Sequence, residues 1–161
     1  MTDPVATEAA VREAGGGDVA GVATAVASLL GEVGGRIPAR AEMEAEVQAL
    51  LDDPQGGSVL IAEADGAIVG VLTATWQRAI HVPGVYATVQ DLWVDGAWRS
   101  RGVGAELVEA IASQARTRGV SRLEVGLPRE TFAAIASTES FYKRNGFERL
   151  GPRMRRLLDE P

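Results

Sequence analysis

The chain has 161 residues, of which 46% are hydrophobic and 24% charged, with a net charge of −6 and no cysteine. This length and balance predict one folded domain over residues 1–161 that buries roughly two-thirds of the surface of its unfolded chain. The lack of cysteine excludes disulfides, thiolate metal sites and cysteine nucleophiles, and the negative charge argues against nucleic-acid partners. Residues 1–13 lack a signal-peptide pattern and the apolar run 19–30 is too short to cross a bilayer, so a cytoplasmic protein without membrane partners is expected.

The first third of the chain is predicted to hold one short strand and two helices. The strand covers residues 8–13 and ends at three glycines. Asp18 then caps a helix whose apolar residues over 19–30 recur at helical spacing. A loop over residues 34–40 leads to a second amphipathic helix over residues 41–51.

The rest of the chain is predicted to alternate strands and helices. Strands over 58–63 and 67–76 are joined by Asp-Gly, a strong hairpin signal, and a third strand follows over 85–94. A helix over 102–118, a strand over 122–127 and a helix over 130–144 precede two short strands over 147–150 and 154–158. This order predicts an α+β fold, in which about four helices flank a mixed, mostly antiparallel sheet of six to seven strands.

The clearest chemical signal lies where the strand over 85–94 turns into the next helix. The first amides of a helix lack internal partners and carry partial positive charge, so a helix start binds anions. Gly102 and Gly104 keep side chains away from this helix start, while Arg99 and Arg101 add charge beside it. The arrangement predicts a site for a pyrophosphate.

Two familiar phosphate-binding turns do not match this segment. A P-loop needs Lys followed by Ser or Thr after its last glycine, and Ala105 and Glu106 stand there. A dinucleotide-binding turn needs a third Gly or Ala three residues on, where Leu107 stands.

A third pattern does match. Arg99-x-x-Gly102-x-Gly104, preceded by Leu92-x-Val94 on a strand, resembles the acetyl-CoA-binding motif of the GNAT superfamily of N-acetyltransferases. The run Phe-Tyr-Lys-Arg-Asn-Gly-Phe at residues 141–147 is similar to the Phe-Tyr-x-x-x-Gly-Phe signature of the same family. Both motifs occur in the family order, with one predicted strand between them.

The resemblance implies a sheet splayed at its centre, between the strands over 85–94 and 122–127, with the acyl-pantetheine arm of acetyl-CoA in the opening. The main chain of residues 92–94 would pair with the pantetheine, and an N–H near Val94 would stabilise the oxyanion of the reaction. The cofactor-binding residues that it implies are Leu92, Trp93, Val94, Arg99, Ser100, Arg101, Gly102, Val103, Gly104 and Ala105.

The resemblance also implies that Tyr142 is the acid that protonates the departing thiolate. The position that best matches the base of some family members is Gln90, which cannot accept a proton productively. Asp91 is the nearest carboxylate and is our predicted base, although strand alternation would point it to the face opposite Gln90. Water relayed to Asp91, Glu124 or His81 is an open alternative.

These observations together predict an N-acetyltransferase that moves the acetyl group of acetyl-CoA to a primary amine by direct attack in a ternary complex, without a metal. The acceptor is expected to be a small molecule or a peptide, lying against the first two helices, the loop over 34–40 and the connection around His81. The resemblance allows a homodimer. Two alternatives stay open: a transferase that uses a longer acyl group or a protein amine, and a non-catalytic acyl-CoA sensor, suggested by Gln90.

Overall fold

A computed structural model describes residues 7–158 of the chain. Within the described residues the chain divides into two compact units, one that ends at Val125 and one that begins at Gly126. In the described part, no helix is both long enough and apolar enough to span a bilayer.

The first unit contains one five-stranded sheet with the order β1-β2-β3-β4-β5. All neighbouring strands are antiparallel except β4 and β5, which are parallel. The strands are β1 (Ala10–Glu13), β2 (Gly57–Ala64), β3 (Ala67–Ala79), β4 (Val82–Val94) and β5 (Leu123–Val125). The helices of this unit are α1 (Val19–Val33), α2 (Arg40–Asp52) and α3 (Val103–Thr117). This architecture confirms the predicted α+β class and the mostly antiparallel sheet.

The hairpin turns follow directly from the sequence. Asp65 and Gly66, between β2 and β3, both have positive φ (50° and 75°). Two-residue hairpin turns of this kind match the twist of the strands that they join. The next hairpin is longer than predicted, because β3 and β4 continue through the expected connection until only Ile80 and His81 separate them. His81 is therefore exposed at the hairpin tip.

Helices cover both faces of the sheet. On one face, Val22 of α1 and Val47 of α2 pack in the same buried cluster as Ile61 and Val71 of β2 and β3. On the other face, α3 lies so near β3 that a side chain at Gly70 would meet Leu107 and Val103 at 3.0 Å. We call these two sides the α1/α2 face and the α3 face.

The second unit contains α4 (Ile135–Arg144), which begins five residues later than predicted. The peptide N–H of Phe132 bonds to Arg129 and that of Ile135 bonds to Phe132, at 2.9 and 3.0 Å. These bonds join residues three apart, as in a 3₁₀ turn. The α-helical bonds between residues four apart begin with the Thr138 N–H, which donates to the Ala134 carbonyl at 2.9 Å.

The prediction of six to seven strands is wrong, since the described residues form five. Residues 147–150 and 154–158 are not strands. Pro152 has no N–H to give to a ladder, and Gly151 beside it has a φ of 151°. The apolar residues around this break stay exposed, Leu150 at 72% and Met154 at 100%, so no buried face stabilises either segment as a strand.

Candidate active site

The sheet opens between β4 and β5. The two strands pair over only three residues, from Ala87 opposite Leu123 to Val89 opposite Val125. Beyond Val89, β4 continues along β3 alone up to Val94. The last residues of β4 therefore have one paired edge among the described strands, on the side where the sequence predicted an opening.

The main chain of β4 presents alternate residues to this open edge. The Asp95 N–H donates to the Val69 carbonyl of β3 at 2.9 Å. Because alternate residues of a strand direct their peptide groups to the same side, Trp93 also faces β3. Leu92 and Val94 therefore direct their N–H and C=O groups toward the open edge, so two of the three predicted main-chain positions are available there.

A tight turn joins β4 to α3. The Asp95 side chain accepts the Ala97 N–H at 2.9 Å and starts a single 3₁₀ turn, Gly96–Trp98. Ser100 and Gly102 then both adopt positive φ, 62° and 86°. A glycine at residue 102 meets this conformational demand at no steric cost, which is a structural reason for the first glycine of the motif.

The start of α3 carries free main-chain donors. The first helical bond runs from the Glu106 N–H to the Gly102 carbonyl at 3.0 Å, and no described side chain caps this end. The N–H groups of Val103, Gly104 and Ala105 therefore have no partner inside the helix. With the helix dipole they form a positively polarised surface of the kind that binds phosphate.

The two arginines of the turn are held differently. Arg99 donates from Nε to the Val94 carbonyl at 3.0 Å and pairs through Nη2 with Glu32 at the end of α1, at 2.5 Å. Arg101 lies over the Trp98 ring, with its guanidinium carbon 5.0 Å from the ring centroid. Arg99 thus ties the end of β4 to α1, and Arg101 keeps its charge beside the turn.

A β-bulge at Gln90 determines where Asp91 points. Thr73 pairs with Asp91 but the next residue, Ala74, pairs with Val89, so Gln90 is an extra residue in β4. The expectation that Gln90 and Asp91 face opposite sides is therefore wrong. Both contact threonines of the α1/α2 face: Gln90 donates to Thr75 at 2.9 Å, and Asp91 accepts from Thr73.

The Asp91 carboxyl group is largely shielded from solvent and hydrogen-bonded to one neighbour. Burial raises the pKa of its carboxyl group, and the hydrogen bond from Thr73 partly opposes that rise. The Thr73 Oγ1 to Asp91 Oδ2 distance is 2.5 Å, and Thr73 is itself 3% exposed. Thr73 was missed by sequence reasoning, since only the register across the bulge brings the two residues together.

The alternative bases have different surroundings. Glu124 of β5 is engaged by the Arg122 guanidinium at 2.7 Å. His81 is exposed at the hairpin tip, and eight residues of β4 separate its turn from the bulge. Asp91 lies in the part of β4 that extends beyond its pairing with β5, and its carboxyl group has no cationic partner among the described ion pairs.

Tyr142 lies in the second unit, on α4. It is 8% exposed, and its ring meets Phe141 and Phe147 edge to face at 5.2 and 5.3 Å. The Phe147 N–H bonds back to the Tyr142 carbonyl at 3.0 Å, past Gly146 with a φ of 88°. The motif over residues 141–147 thus ends the helix in a glycine-containing C-cap with an aromatic contact across it.

Within the described residues, no group of three or more acidic or histidine side chains is arranged to hold a metal ion.

Residues 55–149 match a family model described as an acetyltransferase (GNAT) domain. An integron cassette protein from the mobile metagenome of Cole Harbour Salt Marsh superposes with a TM-score of 0.77 and 24% identity, over 94% of this chain and 91% of that one. An aminoglycoside antibiotic 6'-N-acetyltransferase from Acinetobacter haemolyticus gives 0.76 and 13% identity, over 94% and 99% of the two chains. Glucosamine-6-phosphate N-acetyltransferase from Arabidopsis thaliana gives 0.74 and 14%, over 94% and 99%. A sequence comparison with curated proteins found no match.

Proposed function

Because this chain belongs to the GNAT family of acetyltransferases, we propose that it transfers the acetyl group of acetyl-CoA to a primary amine, by direct attack in a ternary complex. The observation that carries this proposal is the half-buried Asp91 carboxyl near the end of β4, in a strand that leads through a tight turn to the uncapped start of α3. One feature can accept a proton from an amine, and the other can bind the diphosphate of the cosubstrate.

The turn and α3 fit the diphosphate of acetyl-CoA. Gly102 and Gly104 leave the N–H groups of the first turn approachable, and Arg101 supplies a cation beside them. Leu92 and Val94 offer main-chain groups to the pantetheine amides along the open edge. The Val94 N–H is a candidate donor to the oxyanion, because the Val94 carbonyl already accepts from Arg99.

The chain's own groups account for the proton movements of the transfer. Asp91 accepts a proton from the bound ammonium, and the freed nitrogen attacks the thioester carbonyl carbon. The new C–N bond forms as the carbonyl becomes an oxyanion, and the C–S bond breaks as the carbonyl re-forms. Tyr142 is our proposed donor of the proton that neutralises the leaving thiolate. The second proton that the nitrogen loses as it becomes an amide replaces the proton given by Tyr142.

The direct test is the release of free coenzyme A thiol from acetyl-CoA, followed with a panel of primary amines and with no amine as the control. We expect release that depends on the amine and yields one acetylated amine for each thiol. Calorimetric binding of acetyl-CoA with no release for any amine would contradict the transfer and favour the sensor function. Propionyl-CoA and longer acyl-CoA esters, measured in parallel, test the preference for acetyl.

Replacing Thr73 by valine is expected to shift the dependence of kcat on pH, so that the loss of activity on the acid side begins at a higher pH. The carboxylate is the active form of Asp91, so activity falls as pH drops through its pKa. The Thr73 hydrogen bond lowers that pKa, and its loss raises the pKa further above its ordinary value. Thr73→Ser, which keeps the hydroxyl, should restore the original profile. An unchanged loss of activity on the acid side in Thr73→Val, with the fold intact by circular dichroism, would remove Thr73 from this positioning role.

Replacing Tyr142 by phenylalanine is expected to lower kcat about tenfold or more, and to change the Kd of acetyl-CoA much less. The substitution keeps the ring that packs against Phe141 and Phe147 and removes only the hydroxyl. Phe141→Leu, which perturbs the same packing and keeps the hydroxyl, is the matched control. Full kcat in Tyr142→Phe would exclude the phenol as the acid.

A further inference from the structure

A row of uncharged polar side chains extends from Asp91 along the α1/α2 face of β3 and β4. Nearer the helices this face is apolar, with Val71 at its centre, and it becomes polar from Thr73 onward. Thr75 is paired with Thr88, and Gln77 is paired with Tyr86, so these residues share one face. The polar row, as we use the term, consists of Thr75, Gln77, Tyr86, Thr88 and Gln90.

Cross-strand hydrogen bonds hold this row in place. Thr88 Oγ1 donates to Gln77 Oε1, and Gln90 Nε2 donates to Thr75 Oγ1, both at 2.9 Å. Neither bond uses the Gln77 amide nitrogen or the Gln90 amide oxygen. The row therefore offers at least one oriented N–H donor and one oriented carbonyl acceptor to a bound molecule.

The long side chains of the row are also within reach of solvent. Thr88 is 6% exposed, whereas Gln77 and Tyr86 are half-buried and Gln90 is exposed. A ligand resting on this face would thus meet hydrogen-bonded amide groups and the half-buried ring of Tyr86. An amphipathic ring such as that of Tyr86 provides a flat apolar surface with a polar tip.

The charges on this face favour one ammonium group. Asp91, at the end of the row, supplies a carboxylate. Glu124 of β5 stands beside Thr88 in the parallel register, but its charge is paired with Arg122 at 2.7 Å. The part of a ligand that lies beyond its amino group therefore faces neutral donors and acceptors.

We propose that the acceptor is a primary amine on a hydroxylated ring or chain, such as an amino sugar, with its amino group at Asp91 and its hydroxyl groups on the polar row. This inference rests on the acetyl transfer proposed above. A hydroxyl both donates and accepts, so neighbouring hydroxyls match the Gln77 nitrogen and the Gln90 oxygen together. An alkyl amine, or the methylene chain of a lysine, would strip water from these amides without replacing its hydrogen bonds.

The test compares two probes that differ in their hydroxyl groups. D-Glucosamine and tetrahydropyran-3-amine share a six-membered ring with an amine at the same distance from the ring oxygen, and the second lacks every hydroxyl. Calorimetric titration into the protein saturated with coenzyme A measures binding separately from turnover. We expect glucosamine to bind at least about tenfold more tightly, as several neutral hydrogen bonds would provide.

Variants of the row assign that difference to its side chains. Gln77→Met and Gln90→Met should each weaken glucosamine binding about three- to tenfold and leave tetrahydropyran-3-amine unaffected. Gln48→Met, on the exposed surface of α2, is the matched control and should change neither affinity. Two row variants are used so that a folding defect in one does not remove the test.

Equal affinity for the two probes, or tighter binding of a lysine-containing peptide, would overturn the proposed acceptor class. So would glucosamine binding that neither row variant weakens. Thiol release with tetrahydropyran-3-amine alongside equal affinities would overturn the acceptor class and leave the transfer reaction standing. Selective glucosamine binding without thiol release would support the acceptor class and contradict the transfer.

Discussion

Asp91→Asn is expected to lower kcat about 100-fold or more at neutral pH, while the Kd of acetyl-CoA stays within a factor of two or so. The amide cannot take a proton from the attacking ammonium, but its oxygen can still accept the hydrogen bond that Thr73 now gives to the carboxyl group. The fold should therefore survive. Initial rates of thiol release and calorimetric titration of acetyl-CoA measure the two quantities on the same preparation.

Glu124→Gln is the matched control for this experiment, since it removes the carboxylate of the neighbouring strand that was an alternative base. Its effect on kcat should be small, because Glu124 is engaged by Arg122 rather than held for proton transfer. Two outcomes would contradict the role of Asp91. One is an Asp91→Asn enzyme with unchanged kcat, and the other is an equal loss in Glu124→Gln.

Gly104→Val should weaken acetyl-CoA binding about 10- to 100-fold without unfolding the protein. Side chains of a helix lean toward its N-terminus, so an isopropyl group at residue 104 would occupy the space in front of the first-turn amides. Loss of hydrogen bonds to a charged group has an effect of this size. The Kd from calorimetry, together with the thermal unfolding midpoint, separates lost binding from lost structure.

Gly31→Val is the control for that substitution. Gly31 lies on α1, where an added Cβ would meet nothing nearer than Ile37 at 4.0 Å, so this variant adds the same side chain to a helical glycine outside the start of α3 and keeps the neighbouring Glu32 that pairs with Arg99. Acetyl-CoA affinity should stay at its original value. If Gly104→Val bound acetyl-CoA as tightly as Gly31→Val, the start of α3 could not be the diphosphate site.

Sequence patterns predicted most of the elements that position the site. Apolar spacing predicted α1, α2 and α3, and the Asp-Gly pair located the β2–β3 turn. Glycine and arginine spacing located the turn before α3, because such a turn depends on a few neighbouring residues. The family assignment made from these motifs is confirmed by the match over residues 55–149.

Features that depend on pairing between distant residues could not be predicted. The extra residue at Gln90 shows only in the register of β4 against β3, and it places Asp91 beside Thr73. The two C-terminal strands were expected from short apolar runs, but runs of this length have no strand periodicity to support them. The exposed Leu157 and Leu158 belong to such a run.

The bulge also gives β4 a place where one residue can be lost. If Gln90 were deleted, Val89 could stay opposite Ala74 and Asp91 opposite Thr73, so β4 would return to regular alternation with the carboxyl group still on the α1/α2 face. The same deletion would remove the Gln90 amide from the polar row. It would therefore separate the two proposed roles, because Asp91 would keep its position beside Thr73 while the row would lose one of its side chains.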